Sequence, residues 1–262
     1  MQARSALFDL YGDHLRHRGG VAPVAALVRL LAPLDIAAPA VRTAVSRMVR
    51  QGWLQPVETD SGRGYGLSDR ATRRLDEAAA RIYRHRPVEP WDGCWSIAIT
   101  SHSADRTTRD RLHRAMEYLG YRQLQTDAWI APRPSPELDS VVEAEGLTVS
   151  AFHGRHVGEQ DAMVQRLFRP AELGAAYRRW LEEARSIVES IDASDPESAF
   201  AARSELLHEW RKFLFRDPGL PLELLPADWP GADAAAYFDA ESTRLLPAAT
   251  KFVDSCLDRR DL

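Results

Sequence analysis

Residues 38–66 constrain the fold of this chain more than any other stretch. Apolar residues recur over 38–50 at the spacing of one helix face, and Pro39 stands early, where a helix tolerates proline. Gly52-Trp53-Leu54 then leads into two β-prone segments joined by Asp60-Ser61-Gly62-Arg63-Gly64, a run rich in turn formers. A helix, a short strand, a glycine-rich loop with an arginine and a second strand, in that order, are typical of a winged helix-turn-helix.

The predicted helix at 38–50 has two chemically different faces. Its apolar face comprises Val41, Ala44, Val45, Met48 and Val49. Its opposite face comprises Arg42, Thr43, Ser46, Arg47 and Arg50. Guanidinium groups bond to guanine O6 and N7 or to phosphates, and small hydroxyls reach phosphates or base edges without pushing the helix out of the groove. The polar face therefore predicts a recognition helix for DNA.

Two further helices are predicted upstream of this one. Residues 3–15 and 24–34 are amphipathic, and Asp35-Ile36-Ala37-Ala38 predicts a short turn ahead of Pro39. Three helices followed by the hairpin would place a DNA-binding domain at residues 1–88.

The charge of the chain is unevenly distributed. Residues 1–90 hold 14 arginines and no lysine against nine acidic residues, a charge of +5, whereas the whole chain carries −4. The alternative is that the arginines of the predicted helix only solvate an exposed face. Charge segregation is, however, typical of one nucleic-acid-facing domain on an acidic protein. Arg63, flanked by two glycines at the predicted hairpin tip, suits a phosphate or a minor groove better than a core.

A different pattern begins after the hairpin. Ser68-Asp69 predicts the cap of a helix at about 70–84, which ends ahead of Pro87 and Pro90. Strands are then predicted at 94–100, 122–131 and 147–153, and helices at 104–119 and 136–144. This alternation predicts a ferredoxin-like α+β domain at residues 89–168.

The last third of the sequence predicts a helical domain at residues 169–262. Its helices are predicted at 171–191, 196–215 and 232–246, with a last segment to about 257. Four prolines forbid a helix across 217–231. Because this segment would otherwise leave apolar side chains in water, we expect an ordered loop that buries Leu220, Leu222, Leu224, Leu225 and Trp229. The chain as a whole is predicted to be α+β.

Composition excludes several classes of protein. The 262 residues, 45% of them hydrophobic, suffice for two or three domains, and no apolar run approaches the roughly 20 residues of a membrane span. Residues 1–5 lead into an amphipathic helix and not into the apolar core of a signal peptide. Cys94 and Cys256 have neither a metal-knuckle spacing nor a disulfide framework. These features predict a cytoplasmic protein with reduced thiols, no cofactor and no membrane partner.

Three stretches of the chain, taken together, resemble one family. Residues 41–54, Ala128-Trp129-Ile130-Ala131-Pro132 and residues 217–231 are similar, in order and spacing, to the PaaX-type transcriptional repressors of phenylacetic acid degradation. The resemblance implies a winged-helix DNA-binding domain, a central ferredoxin-like domain similar to a small CRISPR-associated endoribonuclease, and a helical C-terminal domain. It also implies a homodimer that binds double-stranded operator DNA and represses a catabolic operon. An aryl acyl-CoA thioester, phenylacetyl-CoA in the named regulators, would release it.

The resemblance assigns DNA contacts to residues already singled out by their chemistry. They are Arg42, Thr43, Ser46, Arg47, Arg50 and Arg63. The family's wing often carries an aromatic pair after its arginine, whereas Arg63-Gly64-Tyr65-Gly66 supplies one aromatic residue between glycines.

Two other functions are alternatives to a ligand-responsive repressor. The related endoribonucleases carry a metal-binding aspartate at the end of the first strand of this domain. Here that place holds Ile99-Thr100-Ser101-His102, and Asp105 follows only in a predicted helix cap, so a metal-dependent nuclease is disfavoured. A constitutive DNA-binding protein would need no ligand pocket at all. The missing carboxylates favour the repressor, and we predict no enzymatic activity.

Candidate sites for small ligands are weaker. His153 and His156 have no cysteine or acidic residue at a metal-ligand spacing, which predicts surface histidines and no metal site. A cationic cluster beside an apolar loop is a candidate site for the phosphates of coenzyme A, and it comprises Arg211, Lys212, Arg216 and Trp229. Alternatively, those cations complement a helix C-terminus and the tryptophan anchors the loop.

Overall fold

A computed structural model describes residues 1–59, 62–82 and 90–258. The chain forms two compact units. Unit 1 comprises Met1–Arg86, Trp180–Arg211 and Asp233–Leu262, and unit 2 comprises Pro87–Arg179 and Lys212–Ala232. The last third of the chain thus contributes to both units. The predicted division into three domains at residues 88 and 168 stays a prediction, and residue 88 lies outside the described ranges.

Unit 1 begins with three α-helices. They are α1 (Ala3–Leu10), α2 (Val24–Leu31) and α3 (Ala38–Arg50). The first two are shorter than predicted because each changes to another helical form, a π-helical segment at Tyr11–Leu15 followed by a 3-10 turn at Arg16–Arg18, and a 3-10 turn at Ala32–Leu34. Asp35 then adopts a left-handed conformation (φ 58°), which turns the chain from α2 into α3.

The wing follows directly from the end of α3. Gly52 takes a left-handed conformation (φ 70°), and the Trp53 N–H donates to the Met48 carbonyl at 2.9 Å, which closes the last turn of the helix. Strands β2 (Leu54–Thr59) and β3 (Gly62–Leu67) then pair antiparallel. The predicted turn residues Asp60 and Ser61 lie outside the described ranges.

A third strand, β1 (Val21–Pro23), completes this sheet in the order β1-β3-β2. This strand was not predicted, because three residues are too few to show a detectable alternation. The close approach of the three strands requires glycine in the middle. A Cβ atom on Gly64 would lie 2.7 Å from Thr59 Cγ2 and 3.1 Å from the Ala22 carbonyl oxygen.

Helix α4 (Asp69–Ile82) begins where the sequence predicted. The Ser68 hydroxyl oxygen accepts a hydrogen bond from the Ala71 N–H at 3.2 Å and donates to the Gly52 carbonyl at 2.8 Å. Ser68 therefore caps α4 and ties it to the end of α3. The predicted end of this helix near residue 84 lies outside the described ranges.

The core of unit 1 is shared between the two ends of the sequence. Helices α8 (Pro170–Glu189), α9 (Pro196–Trp210) and α11 (Gly231–Asp258) belong to the last third of the chain. Phe200 of α9 and Val253 of α11 are fully buried in one cluster with side chains of the first three helices, among them Leu7, Leu27, Leu30, Val45 and Met48. Helices α9 and α11 therefore complete the core of the winged helix.

Helix α11 is continuous, so the prediction of two helices over 232–257 was wrong. Pro247 lies inside the helix, where it removes one backbone hydrogen bond, but its side chain is exposed. The buried side chains of Leu245 and Ala249 on either side hold the helix against the core. No helix within the described ranges, α11 included, is both long and apolar enough to cross a membrane.

Two acidic residues one helical turn apart join α1 and its extension to α9. Asp13 receives a bidentate pair from Arg203, with Nε–Oδ2 and Nη2–Oδ1 distances of 2.8 and 2.7 Å, and both side chains are only 5% exposed. Asp9 lies 2.8 Å from His208 Nδ1 and also pairs with Arg211. Arg203 donates further to the Ser242 carbonyl of α11. This acidic–basic cluster connects three segments of unit 1.

Unit 2 contains a four-stranded antiparallel sheet with the element order βαββαβ. Its elements are β4 (Trp95–Thr100), α5 (Arg106–Tyr118), β5 (Arg122–Gln125), β6 (Ala128–Ala131), α6 (Leu138–Glu143) and β7 (Val149–Gly154). The strand order β5-β6-β4-β7 is that of a ferredoxin-like fold, which confirms the predicted α+β class. The single strand predicted at 122–131 is a hairpin, because Asp127 takes a left-handed conformation (φ 59°) at its turn.

The two faces of this sheet are covered differently. Helices α5 and α6 cover one face over a core that includes Tyr121 and Trp129. Helix α7 (Gln160–Phe168), which was not predicted, packs against Trp95 on the other face.

The helix predicted at 196–215 divides in two. It ends at Trp210 as α9, and the short α10 (Phe213–Arg216) follows as part of unit 2. Leu220 and Leu224 of the proline-rich loop join Trp95 and α7 in one cluster. The expectation that the loop buries all its leucines was wrong for Leu222, which is 74% exposed.

The burial of His14, next to the acidic–basic cluster, makes the stability of unit 1 depend on pH. This side chain is buried beside Phe200, and burial lowers its pKa from 6.5 to about 4 against the opposing effect of Asp13. The unfolded chain takes up a proton near pH 6.5 and the folded chain does not. The free energy of unfolding should therefore fall between pH 6.5 and 4, by about 3 kcal/mol from this group.

The measurement is urea unfolding of the wild type and His14→Gln across this pH range. The difference in unfolding free energy between the two proteins should shrink as the pH falls. His17→Gln is the matched control, because His17 is exposed in the adjacent 3-10 turn. A difference between wild type and His14→Gln that stays constant with pH would contradict the prediction.

Candidate nucleic-acid interface

The structure separates the two faces of α3 as predicted. Val41, Ala44, Val45 and Met48 are buried, and Val49 is half-buried. The polar residues are all exposed, and they are Arg42, Thr43, Ser46, Arg47 and Arg50. Pro39 lies in the first turn, where its missing N–H costs no hydrogen bond. We call these five polar residues, together with Arg63, the α3 and wing surface.

The arginines of this surface differ from other arginines of unit 1. Arg16 pairs with Asp76 at 3.0 Å, and Arg18 pairs with Asp254 at 2.9 Å. Across the described ranges, no carboxylate lies within ion-pair distance of the three arginines on α3, Arg42, Arg47 and Arg50. Their positive charge is therefore available to an external anion.

Thr43 is more constrained than its sequence position indicates. Its hydroxyl donates to the Pro39 carbonyl at 2.9 Å, so its hydrogen is already engaged within the helix. The methyl group and the oxygen lone pairs remain at the surface. These groups suit a thymine methyl or a base amino group better than a phosphate, which requires a donor.

Arg63 lies in β3, opposite Glu58 of β2, and not in the turn itself. Its guanidinium lies 5.8 Å from the centre of the Tyr65 ring. The Tyr65 carbonyl accepts a hydrogen bond from the Tyr11 hydroxyl at 2.8 Å, and burial raises the pKa of that hydroxyl. The one aromatic residue of the wing thus lies beside its arginine, and its backbone is tied to the segment that follows α1.

The residues predicted to contact an effector have different surroundings. Arg211 belongs to unit 1, where it pairs with Asp9. Lys212, Arg216 and Trp229 belong to unit 2. Arg216 is exposed, whereas Trp229 is half-buried and meets the Tyr177 ring edge-on at 5.6 Å. Their role as ligand contacts stays a prediction.

Unit 2 contains a cleft of about 230 Å³ that was not predicted from the sequence. Its apolar lining comprises Trp95, Ile97, Leu124, Ile130 and Met163. Polar and basic side chains join this lining, namely Arg155, His156 and Arg166. His156 Nδ1 is buried without a hydrogen-bond partner among the described residues. Because the lining residues come from three strands, a loop and the unpredicted α7, spacing along the chain gives no sign of the cleft.

The carboxylates near the end of β4 have structural roles. Asp105 caps α5 and accepts hydrogen bonds from the Thr108 N–H and hydroxyl, both at 2.8 Å, which lower the pKa of the Asp105 carboxyl. Asp127 lies 2.8 Å from His102 Nδ1. Asp105 is therefore the predicted helix cap. That the chain has no enzymatic activity stays a prediction.

One group of potential metal ligands was also missed. His153 was predicted to be a surface histidine together with His156, but the structure places it beside Asp92 and Cys94. The strand pairing of β4 with β7 brings these residues together across some 60 positions of the sequence.

A three-helix unit with an exposed arginine face on its third helix and a two-stranded wing defines the class of winged helix-turn-helix proteins. Three family models match successive parts of the chain. The PaaX-like protein model matches residues 2–71, the PaaX protein central Cas2-like domain matches residues 88–164, and the PaaX-like protein C-terminal domain matches residues 168–255. The chain belongs to the PaaX family.

Two individual proteins are similar over almost the whole chain. The transcriptional repressor PaaX of Escherichia coli is 30% identical, and the match covers 95% of this chain and 82% of that protein. The solved structure of an uncharacterized protein from Mycobacterium tuberculosis has a TM-score of 0.63 and 27% identity. That match covers 97% of this chain and 98% of the other.

Proposed function

We propose that this chain is a DNA-binding transcriptional repressor that reads its operator with the α3 and wing surface. The observation that carries the proposal is the exposed face of α3, whose three arginines have no carboxylate partner in the described part of the chain. The similarity to a protein named as a transcriptional repressor supports it. Such a repressor acts on the chromosome, in keeping with the predicted cytoplasmic location.

In this proposal α3 lies in the major groove. Arg47 is central on the polar face, between Thr43 one turn before and Arg50 nearly one turn after. Arg47 and Thr43 therefore face the base edges, while Arg50 contacts the phosphate backbone. Arg63 extends from the wing to a phosphate or the adjacent minor groove. Because each phosphate contact releases counterions from the DNA, binding should weaken as the salt concentration rises.

Arg47→Ala should weaken operator binding by about 1–3 kcal/mol if Arg47 makes a bidentate base contact. The fold should be unchanged, because the side chain is exposed and unpaired. The measurement is a mobility-shift titration on a site that the protein selects from random DNA. Arg106→Ala is the matched control, since Arg106 is an exposed helical arginine of unit 2. Undiminished affinity of a stably folded Arg47→Ala protein would remove Arg47 from the interface.

We also propose that the repressor is a homodimer that reads an inverted repeat. One short recognition helix and one wing contact too few base pairs to specify an operon. Footprinting should show two related half-sites, with centres about 34–36 Å apart or a multiple of this. A particle that light scattering measures as a monomer at micromolar concentration, and that protects one asymmetric site, would contradict the dimer.

The effector in this proposal is an aryl acyl-CoA thioester of the phenylacetyl type, and the cleft of unit 2 supports it. A cavity of about 150 Å³ holds benzene, so 230 Å³ accommodates an aryl head but not coenzyme A. The phosphates would extend beyond the apolar part of the lining, where Arg155 and Arg166 provide positive charge. This assignment competes with the one predicted from sequence at Arg211, Lys212, Arg216 and Trp229.

Titration of the protein–operator complex with three compounds tests the effector class. Phenylacetyl-CoA should weaken operator binding at least about tenfold, which corresponds to about 1.4 kcal/mol of coupling. Free phenylacetate and coenzyme A alone should not, because each lacks one half of the recognised chemistry. By linkage, operator DNA should weaken thioester binding by the same factor.

Two variants then distinguish the two candidate sites. Arg166→Ala should raise the thioester concentration needed for half-release about tenfold, because it removes a charge-assisted hydrogen bond worth about 1.5 kcal/mol. Arg216→Ala should leave it unchanged. The opposite result would assign the effector to the 212–229 segment. Release by no thioester at all would favour a constitutive DNA-binding protein or another effector class.

A further inference from the structure

Three chemically different metal-binding groups meet at one edge of the ferredoxin-like sheet. The Asp92 carboxylate, the Cys94 thiol and the His153 imidazole each offer one ligand atom, and these atoms lie within 4.8 Å of one another. Cys94 directly precedes β4, and His153 lies on β7 opposite Ser96. We call these residues the Asp–Cys–His cluster.

The backbone holds two of these ligands in place. Gly93 adopts a left-handed conformation (φ 78°) between Asp92 and Cys94. Asp92 Oδ1 accepts a hydrogen bond from the Cys94 N–H at 2.9 Å, which orients the carboxylate and leaves Oδ2 towards His153. The Trp91 indole N–H donates to the carbonyls of Cys94 and Pro132 at 2.9 and 3.0 Å, and so fixes the segment to the end of β6.

The distance between His153 and Asp92 is close to that expected for two ligands of one ion. His153 Nε2 and Asp92 Oδ2 are 3.6 Å apart, too far for a hydrogen bond. His102 and Asp127 in the same unit form a direct contact of 2.8 Å. Zinc bonds of 2.0–2.3 Å at the tetrahedral angle place their ligand atoms about 3.3–3.5 Å apart.

We propose that the Asp–Cys–His cluster is a Zn²⁺ site with three protein ligands and an open fourth position. A thiolate, an imidazole and a carboxylate together suit Zn²⁺, whereas Mg²⁺ and Ca²⁺ prefer oxygen ligands alone. On binding, the Cys94 thiol releases its proton to solvent and its sulfur coordinates the ion. Asp92 and His153 are 58% and 48% exposed, which gives the ion a path from solvent.

The positive charge near the site is smaller than the negative charge of its ligands. The Arg155 guanidinium donates to the Asp92 carbonyl at 3.4 Å, on the backbone side of the segment. The Asp92 carboxylate and the Cys94 thiolate contribute two negative charges against this one. The fourth position is open to water or to an anionic ligand from solution.

Cobalt substitution tests the site in the full-length protein without any DNA. Co²⁺ added to the metal-free protein should bind at one ion per chain, with a thiolate-to-cobalt charge-transfer band and the intense visible bands of a tetrahedral site. Zn²⁺ should abolish both. Cys94→Ser should lose the charge-transfer band, and His153→Gln should weaken binding at least about tenfold. Cys256→Ala is the matched control and should retain the full spectrum.

His153→Gln keeps the test decisive, because this exposed strand residue can be changed without disturbing a core. Circular dichroism of the metal-free variants establishes that they fold. Loss of the bands in folded Cys94→Ser and weaker binding by His153→Gln support the site. A wild-type protein without the charge-transfer band, or a Cys94→Ser protein that binds Co²⁺ as the wild type does, would overturn it.

Discussion

The winged helix depends on the buried ion pair between Asp13 and Arg203. Its partners come from the segment after α1 and from α9, 190 residues apart, and both are almost completely removed from water. Loss of either partner would leave a buried charge unpaired, which costs about 3–5 kcal/mol. Because α1 packs against α3, the pair connects α9 to the element that supports α3. The α3 and wing surface is thus supported by residues far along the sequence.

Local patterns were sufficient to predict helix α3 and the wing. The period of Val41, Val45 and Met48 identifies α3, and the glycines around the wing identify its turn, because both signals arise within a few residues. The alternation of strands and helices in unit 2 was equally local. The prediction erred where one residue decides a local break, as at Asp127, where a strand becomes a hairpin, and at Pro247, which a long helix tolerates.

Long-range pairing explains what the sequence could not reveal. Arg211 was predicted to be a ligand contact because of its charge and its position beside an apolar loop. The sequence could not show that its guanidinium pairs with Asp9 at the other end of the chain. The cleft around Trp95 and the Asp–Cys–His cluster arise from the order of strands in a sheet, so their residues become neighbours only after folding. The exposure of the polar face of α3 needed only helical periodicity and was predicted correctly, whereas its contact with DNA stays a prediction.

The shared core of unit 1 has a consequence for how the protein is made. Residues 87–232 contain every segment of unit 2, so that unit is complete on the ribosome before helix α11 has left the exit tunnel. Until Val253 has been synthesised, the cluster around Leu7 and Met48 lacks the side chains of α11 that pack against it. Unit 1, whose first helices are synthesised before any part of unit 2, is therefore the unit that finishes folding last. A fragment ending before α9 would make a poor exchangeable DNA-binding module, because the apolar surface meant for α9 and α11 would remain in water.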